Sequence, residues 1–280
     1  MISVFGGTGF IGSRFLELYE EESRAIPRSV YKPDTKNVLY FISTTSNYNV
    51  FDNVHLDIDT NLSVLMKVLE NCKEKNLVFN FVSSWFVYGK TKDLPATEDS
   101  HCNPKGFYSI TKRCAEQLIE SYCQTFGIKY RILRLANVYG EGDDSVSKKK
   151  NALQFLINEV VSGRDINLYD GGKNIRDFIY VDDVCRAIYM CITRADYNDI
   201  INIGSGQPHQ FLDLMQYCLK RAKSKSKIIS VMPTEFHNIV QVKNMYLDTT
   251  KLRKLGFEQS VTMYDGLDKI ITKYQKDFKQ

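Results

Sequence analysis

The chain has 280 residues, 43% hydrophobic and 25% charged, with a formal net charge of +4. That length suits one large α/β domain or a cofactor domain with a small second lobe, and the composition is that of a folded, soluble chain. The charge is too small and too spread out for nucleic-acid binding, although it favours an anionic ligand such as a diphosphate. No apolar run approaches the roughly 20 residues needed to cross a bilayer. No basic segment precedes the first apolar strand as it would in a signal peptide. A cytoplasmic protein is therefore expected. Seven irregularly spaced cysteines without a C-x-x-C pair argue against a disulfide framework or zinc site, and four scattered histidines offer no metal motif.

Ile2 to Phe5 reads as a short buried strand, followed by glycines and an amphipathic stretch from Ser13 to Glu22. A second strand is expected around Arg24 to Tyr31, short and interrupted by Pro27. Val38 to Ile42 reads as another parallel strand, Asn61 to Lys75 as a helix, and Leu77 to Val82 as a strand ending at a serine pair. Phe107 to Phe126 forms a long helix, and Tyr130 to Leu135 the strand after it. Beyond Gly140 the chain turns polar, then continues through helices at Ala152 to Val161 and Val184 to Arg194. A last strand, Ile200 to Ile203, runs into Gly204-Ser205-Gly206, and a basic helix near Tyr264 to Lys279 closes the pattern. Strands alternating with helices predict an α/β fold with a Rossmann-type, doubly wound parallel sheet. With no linker or repeat, a small C-terminal lobe should be interleaved with it. Lys223 to Lys227 reads as a solvated loop, and Asp182 and Asp183 as helix N-cap residues.

Gly6-Gly7-Thr8-Gly9-Phe10-Ile11-Gly12 has G-x-x-G-x-x-G spacing between a strand and a helix. Glycines there permit a tight turn and close backbone approach, with the helix N-terminus facing a pyrophosphate. Gly6, Thr8, Gly9, Phe10, Ile11 and Gly12 are thus candidate cofactor contacts. An NAD site usually carries an acid at the tip of the second strand. By spacing that tip falls near Arg28 to Tyr31, where there is no Asp or Glu. Arg28 would suit a 2′-phosphate, which favours NADP over NAD, although Asp34 serves if the strand runs longer. Too few residues separate the second strand from Val38 for a further helix and strand. Part of the adenine-side wall is therefore missing, and a cofactor held loosely enough to exchange at each turnover is expected.

Tyr108-Ser109-Ile110-Thr111-Lys112 is Tyr-x-x-x-Lys, which puts both side chains on one helix face. A lysine ammonium beside a phenol favours the phenolate, so the pair is suited to exchanging a proton with a hydroxyl or carbonyl during hydride transfer. Ser84, at a strand C-terminus, is placed to bond the same oxygen. The expected catalytic set is Ser84, Tyr108 and Lys112, the last two also contacting cofactor.

Together with Val82 to Gly89, Asn137 to Gly140 and Arg176 to Val184, these motifs resemble the extended short-chain dehydrogenase/reductase family, in its nucleotide-sugar epimerase/dehydratase branch. The resemblance runs over nearly the whole chain. It implies NAD(P), a nucleotide-diphosphate sugar and a homodimer formed through the Phe107 to Phe126 helix. It implies that Lys112 also holds the nicotinamide ribose, that Asn137 and Arg176 contact the substrate, and that Asn61 props the active-site backbone. Lys148 to Asn151 precede a helix where the family positions its diphosphate; Lys148 to Lys150 are either phosphate ligands or a solvated charge run. The resemblance implies a dinucleotide domain at 1–140 plus about 175–205 and a nucleotide-sugar lobe at about 141–174 plus 206–280.

One departure matters. Dehydratases of this kind carry Asp-Glu after the catalytic Thr, and here Trp85 and Phe86 stand there, unable to transfer protons. Trp85 is either a wall for the sugar or a core aromatic. Dehydration is disfavoured, which leaves reactions needing only Ser, Tyr and Lys. The first expectation is an NAD(P)H-dependent reductase of a nucleotide-activated keto-sugar, acting at C4, in surface-polysaccharide or deoxysugar biosynthesis. The alternative is a nucleotide-sugar 4-epimerase with bound NAD. A non-catalytic, cofactor-sensing member of the fold ranks last, having no need of all three residues.

Overall fold

In the computed structural model, which describes residues 1–73, 76–143 and 151–278, β1 (Ile2–Phe5) is buried on both faces. Such burial belongs to an interior strand of a parallel sheet covered by helices on each side. With β2 (Ser23–Ile26), β3 (Asn37–Tyr40), β4 (Val78–Ser84), β5 (Lys129–Leu135) and a last strand, Asp199–Ile203, it builds one six-stranded sheet. The spatial order is Asp199–Ile203, β5, β4, β3, β1, β2, and every neighbouring pair is parallel. Helices Val64–Glu70 and Phe107–Phe126 pack on one face through Leu65, Leu69, Ala115 and Ile119. Helices Phe10–Leu18 and Val181–Arg194 cover the other through Phe15, Val184 and Ile188. This is the doubly wound arrangement expected from the alternating pattern.

The sheet stops early on one side. A full doubly wound sheet continues outward past its second strand, but β2 is an edge here, with Arg24 and Ala25 exposed. The chain passes directly from Pro27 to β3 on the other side of β1, with no intervening helix or strand. Proline ends β2 at Ile26, shorter than expected, because its ring removes a ladder donor. Buried Ser3 anchors the crossover, its Oγ accepting from the backbone N–H groups of Asp34 and Thr35, each at 3.0 Å.

Other boundaries shift for local reasons. The first helix starts at Phe10, not Ser13, because Gly9 in extended conformation already serves as its N-cap. The helix expected from Asn61 begins at Leu56 and passes through a π turn at Asp59–Ser63 before Val64–Glu70. The extra residue in that turn carries Asn61 inward, where it is buried. Asp182 and Asp183 lie inside the Val181–Arg194 helix, whose N-cap is Tyr180, so neither caps it. Asp182 instead grips Arg14 with two bonds of 2.7 and 3.0 Å. Asp183, fully buried, accepts from the N–H groups of Ser260 and Val261 and from Ser260 Oγ. The Lys223–Lys227 loop exposes its lysines, while Ser224 Oγ donates to the Val160 carbonyl at 2.6 Å.

The C-terminal elements share one apolar core with the sheet. Ala152–Val161, Phe211–Ala222 and Met263–Asp277 bring Ile157, Leu214 and Ile270 into the cluster that holds Val4, Leu133 and Ile201. Strand Ile175–Arg176 pairs with His209–Gln210 and Asn244–Met245, and Ile166–Tyr169 pairs with Ile228–Val231. Asp177 ties these pieces to the sheet. Its carboxylate accepts from the N–H groups of Ser205, Gly206 and Leu247 and from Ser205 Oγ. Burial pushes that carboxyl up to about 6, although the four donors pull it back. No helix among the described residues is long and apolar enough to cross a membrane.

Asp183→Ala leaves the Ser260 and Val261 donors without their acceptor in a closed space. It is expected to destabilise the fold by about 2–3 kcal/mol, read as a lower thermal unfolding midpoint. An unchanged midpoint would show that Asp183 does not hold the C-terminal segment.

Candidate active site

The glycine loop turns at Gly6, whose φ of +83° suits a residue without a side chain. Gly9 N–H donates to the Gly6 carbonyl at 3.1 Å, which closes the turn directly before the helix. A Cβ on Gly12 would sit 2.4 Å from that carbonyl, so the turn and helix can pack only with glycine. A Cβ on Gly9 would meet nothing nearer than 3.5 Å and would project outward. That outward face, lined by Thr8, Gly9 and the first helical N–H groups, fits a dinucleotide pyrophosphate. Phe10 and Ile11 are partly buried against the sheet face below. At the adenosine end, Val30 N–H donates to the Pro27 carbonyl at 2.9 Å, closing a turn that presents Arg28, exposed, at the tip of β2. Asp34 lies 3.4 Å from Arg24 in an exposed pair, on the crossover toward the opposite end of the strands.

β4 ends at Ser84, and the Phe107–Phe126 helix brings Tyr108 and Lys112 beside it. Burial pushes the Tyr108 phenol up to about 12, a hydrogen bond with Ser84 pulls it down, and the Asp57 carboxylate raises it again. Lys112 is buried, donates to the Val82 carbonyl at 2.7 Å, and lies 4.5 Å from the Phe81 ring centre. Burial lowers its ammonium to about 7, against an upward pull from Glu116. The sequence predicted a lysine charge stabilising the phenolate. In this structure the Lys112 ammonium donates to the β4 backbone at Val82.

Residues with no motif of their own hold this set. Glu116, fully buried, bonds Arg134 at 3.0 and 2.8 Å, Arg113 at 2.8 Å and Ser83 Oγ at 2.5 Å. Arg134 N–H also donates to the Glu98 carbonyl, and its guanidinium lies over the Tyr88 ring. Asn61 Nδ2 donates to Thr111 Oγ1 at 2.8 Å, and its Oδ1 accepts from Thr44 N–H at 2.7 Å. Asn61 therefore ties the catalytic helix to the segment after β3, in keeping with a propping role. Asn47 Oδ1 accepts from Ser109 N–H at 3.2 Å, next to Tyr108. Asp57 accepts from Asn49 Nδ2 and in a short bond from Thr44 Oγ1, while its Oδ2 is buried without a hydrogen-bond partner. None of these carboxylates stands in a recognisable sequence pattern. Only Glu116 has a signal, lying one helical turn beyond Lys112 on the same face.

Trp85 is 3% exposed and stacks on Phe86 at 3.9 Å, with Phe86 edge-on to Tyr108 at 6.1 Å. Trp85 is thus packed into the core, and half-buried Phe86 stands between it and the phenol. Arg176 lies over Trp85 at 5.4 Å and donates to the Ile175 and Lys243 carbonyls, both at 2.8 Å. Its hydrogen bonds among the described residues go to those backbone carbonyls, and burial lowers it to about 10. A buried, unpaired guanidinium suits an anion. Asn137 Nδ2 donates to the Asp177 carbonyl at 2.9 Å, which sets it one strand away from Arg176. Asn151 is committed as a helix cap: its side chain accepts from Gln154 N–H and donates to Asp143 at 2.9 Å. Lys148, Lys149 and Lys150 lie outside the described residues. None of the seven cysteines is in a disulfide, and the described residues hold no cluster of metal-ligating side chains.

The family model described as NAD dependent epimerase/dehydratase matches residues 43–204. A putative UDP-glucose 4-epimerase of Methanocaldococcus jannaschii is 26% identical over 303 aligned positions, covering 97% of each chain. A dTDP-4-dehydro-6-deoxyglucose reductase of Escherichia coli is 26% identical, covering 92% of this chain and 78% of that one. The crystal structure of a Thermotoga maritima UDP-glucose 4-epimerase with UDP-glucose superposes with a TM-score of 0.88 at 24% identity, covering 99% of both chains.

Because Lys112 is lowered well below the ordinary 10.5, the unfolded chain binds the extra proton between about pH 7 and 10.5. Stability contributed at this site therefore rises with pH across that window and is lost as pH falls through about 7. Lys112→Met is expected to stabilise the ligand-free protein at pH 7 by about 1–3 kcal/mol and to flatten this pH dependence. Thermal melts between pH 6.5 and 9.5 test it; a variant less stable at neutral pH would show that the buried ammonium is well accommodated.

Proposed function

The chain belongs to the NAD dependent epimerase/dehydratase family, and we propose that within it this protein is an NADPH-dependent reductase of a nucleotide-activated 4-keto-sugar. The truncated sheet edge carries this reading. With β2 as the outermost strand, the adenosine end of the cofactor lacks the wall that a further strand and helix would supply. A cofactor bound there leaves readily, which suits a co-substrate used once per turnover better than an NAD retained through an epimerisation. Arg28 at the tip of β2, unaccompanied by an acid, favours a 2′-phosphate. Trp85 and Phe86 supply no acid or base for dehydration.

When bound, the reduced nicotinamide supplies the hydride. The Gly6 to Gly12 turn holds the pyrophosphate, and Lys112 binds the nicotinamide ribose. Tyr108 gives its proton to the C4 oxygen as the carbon is reduced, and Ser84 hydrogen-bonds the same oxygen and orients it. Arg176 and Asn137 bind the nucleotide-diphosphate side, and Trp85 backs Phe86 behind the sugar. In this reading residues 1–140 with about 175–205 hold the dinucleotide, while about 141–174 with 206–280 hold the nucleotide sugar. The Phe107–Phe126 helix, which leaves Ile110 and Phe126 exposed, supplies the contact of a homodimer.

A nucleotide-sugar 4-epimerase is the second reading, favoured by the relative from Methanocaldococcus jannaschii, and it uses the same three catalytic residues. The two differ in net cofactor turnover. The protein is expected to purify with well under one equivalent of nicotinamide cofactor and to consume NADPH steadily with dTDP- or UDP-linked 4-keto-6-deoxyglucose. One tightly retained equivalent, with interconversion of UDP-glucose and UDP-galactose, would establish the epimerase instead.

Tyr108→Phe should lower kcat by about 100- to 10,000-fold while leaving the affinity for UDP within about twofold. Turnover unchanged in that variant would remove Tyr108 from the chemistry. A melting panel with NAD, NADP, UDP, GDP, CDP and dTDP identifies the ligands, since binding to the folded state raises its stability with affinity and concentration.

A further inference from the structure

Phe86 touches both Ser84 and Tyr108. β4 ends at Ser84, and the short turn Trp85–Tyr88 begins there with Ser84 as its cap. Phe86 N–H donates to Ser84 Oγ at 3.3 Å, and the Phe86 ring stands edge-on to the Tyr108 ring at 6.1 Å. On its other side the ring stacks on Trp85 at 3.9 Å, and Arg176 lies over Trp85 at 5.4 Å. A row of contacts thus leads from the phenol to the guanidinium. Within it Trp85 is buried, whereas Phe86 is only partly so. Phe86 is therefore the apolar member of the row that a ligand can meet.

The shape of a hexose decides what it meets. In a pyranose, C1 and C4 lie on opposite sides of the ring. A sugar with its C4 oxygen at Ser84 and Tyr108 and its diphosphate at Arg176 spans the row, with Phe86 beside the carbons next to C4. Those carbons are C3, which carries a hydroxyl, and C5, which carries C6. A phenyl ring offers no hydrogen bond, so a hydroxyl pressed against it gives up water without a new partner. A methyl group gains from the same burial. Among the groups flanking C4, the apolar one is C6 of a 6-deoxy sugar.

We propose that Phe86 is a specificity-determining residue that packs on C6 and selects sugars in which C6 is a methyl over those in which it bears a hydroxyl. The proposal rests on the reading above that Ser84 and Tyr108 hold the C4 oxygen and Arg176 the diphosphate. It narrows the substrate class to nucleotide-linked 4-keto-6-deoxyhexoses. Trp85 takes part from behind: packed into the core, it backs the Phe86 ring and leaves it little space to withdraw for a hydroxyl and its water. An apolar wall rejects an added hydroxyl by no more than about 100-fold, so the preference is graded.

The test uses the full-length protein in the oxidative direction, with NADP and with NAD. Its substrates are UDP- and dTDP-linked glucose and galactose, each beside its 6-deoxy counterpart. The two C4 epimers cover either stereochemistry at the reacting carbon. From initial rates, wild type is expected to favour the 6-deoxy member by about 10- to 100-fold in kcat/KM. Phe86→Gln puts an amide where the ring was, and Phe86→Ala opens room for a hydroxyl with its water. Both should bring the ratio to within about threefold of one. Phe86→Met resembles the glutamine in size but offers a hydroxyl only a weakly accepting thioether, and it should keep a preference of about tenfold. Loosened packing lowers the rates on both sugars together and leaves their ratio, so the ratio separates selection from support. A wild type indifferent to C6, or a ratio that is the same in the Gln, Ala and Met variants, would overturn the role of Phe86 while leaving the reductase reading intact. If wild type oxidises none of these sugars, the reading of the site fails and the role of Phe86 with it.

Discussion

The site depends on the ion cluster at Glu116. A helix lying on a sheet can slide or rotate at little cost if only apolar side chains meet, yet proton transfer requires its acid held to a fraction of an ångström. Glu116 removes that freedom. It stands on the same helix as Tyr108 and Lys112 and is bonded to Ser83, next to Ser84 on β4, and to Arg134 on β5. Three elements are locked by one carboxylate with no exposure to water. Removing one partner from such a cluster leaves an uncompensated buried charge, which is far more costly than the intact pair is favourable. The arrangement is therefore better understood as fixing geometry than as adding stability.

Around that fixed point the protein keeps cations without full compensation. Lys112 rests on a carbonyl and an aromatic face, and Arg176 on two carbonyls and Trp85. Both are lowered by burial, the mark of charge held ready in a poorly solvated place. A fold optimised for stability alone would have put apolar side chains at both positions. A buried cation without a carboxylate partner is a ready contact for an anion. Asp57 acts with the opposite sign beside Tyr108, disfavouring phenolate and keeping the proton available for delivery to a carbonyl oxygen.

Much of this was legible in the sequence because the sheet is buried on both sides. Mainly apolar runs at residues 2–5, 38–42 and 77–82 identify interior parallel strands, and Tyr-x-x-x-Lys and the glycine loop have spacings imposed by their chemistry. The missing outer strand was legible too, as a distance along the chain too short to build one. What escaped is whatever depends on partners remote in sequence. Glu116 is an ordinary helix glutamate until Arg134 and Ser83 are folded against it. Asp182 and Asp183 sit where caps are common, yet they serve tertiary bonds to Arg14, Ser260 and Val261. Lys112 has the right spacing to face Tyr108, but spacing does not say that its ammonium turns toward Val82. Local pattern specifies which face a side chain leaves from; it does not specify what the side chain meets.

The two sides of the site are built differently. At the adenosine end the sheet edge is bare, and the turn at Arg28 is the last element before solvent. On another side of the site, residues 47–51 and 235–240 meet through the Phe236 ring and the Tyr48–His237 bond. At the bare edge β2 has no outer layer of sheet or helix to displace. The Gly6 to Gly12 turn is fixed by its own packing: a Cβ at Gly12 has no room. Beside that turn, the Glu116 cluster holds the helix of Tyr108 in register with β4 and β5.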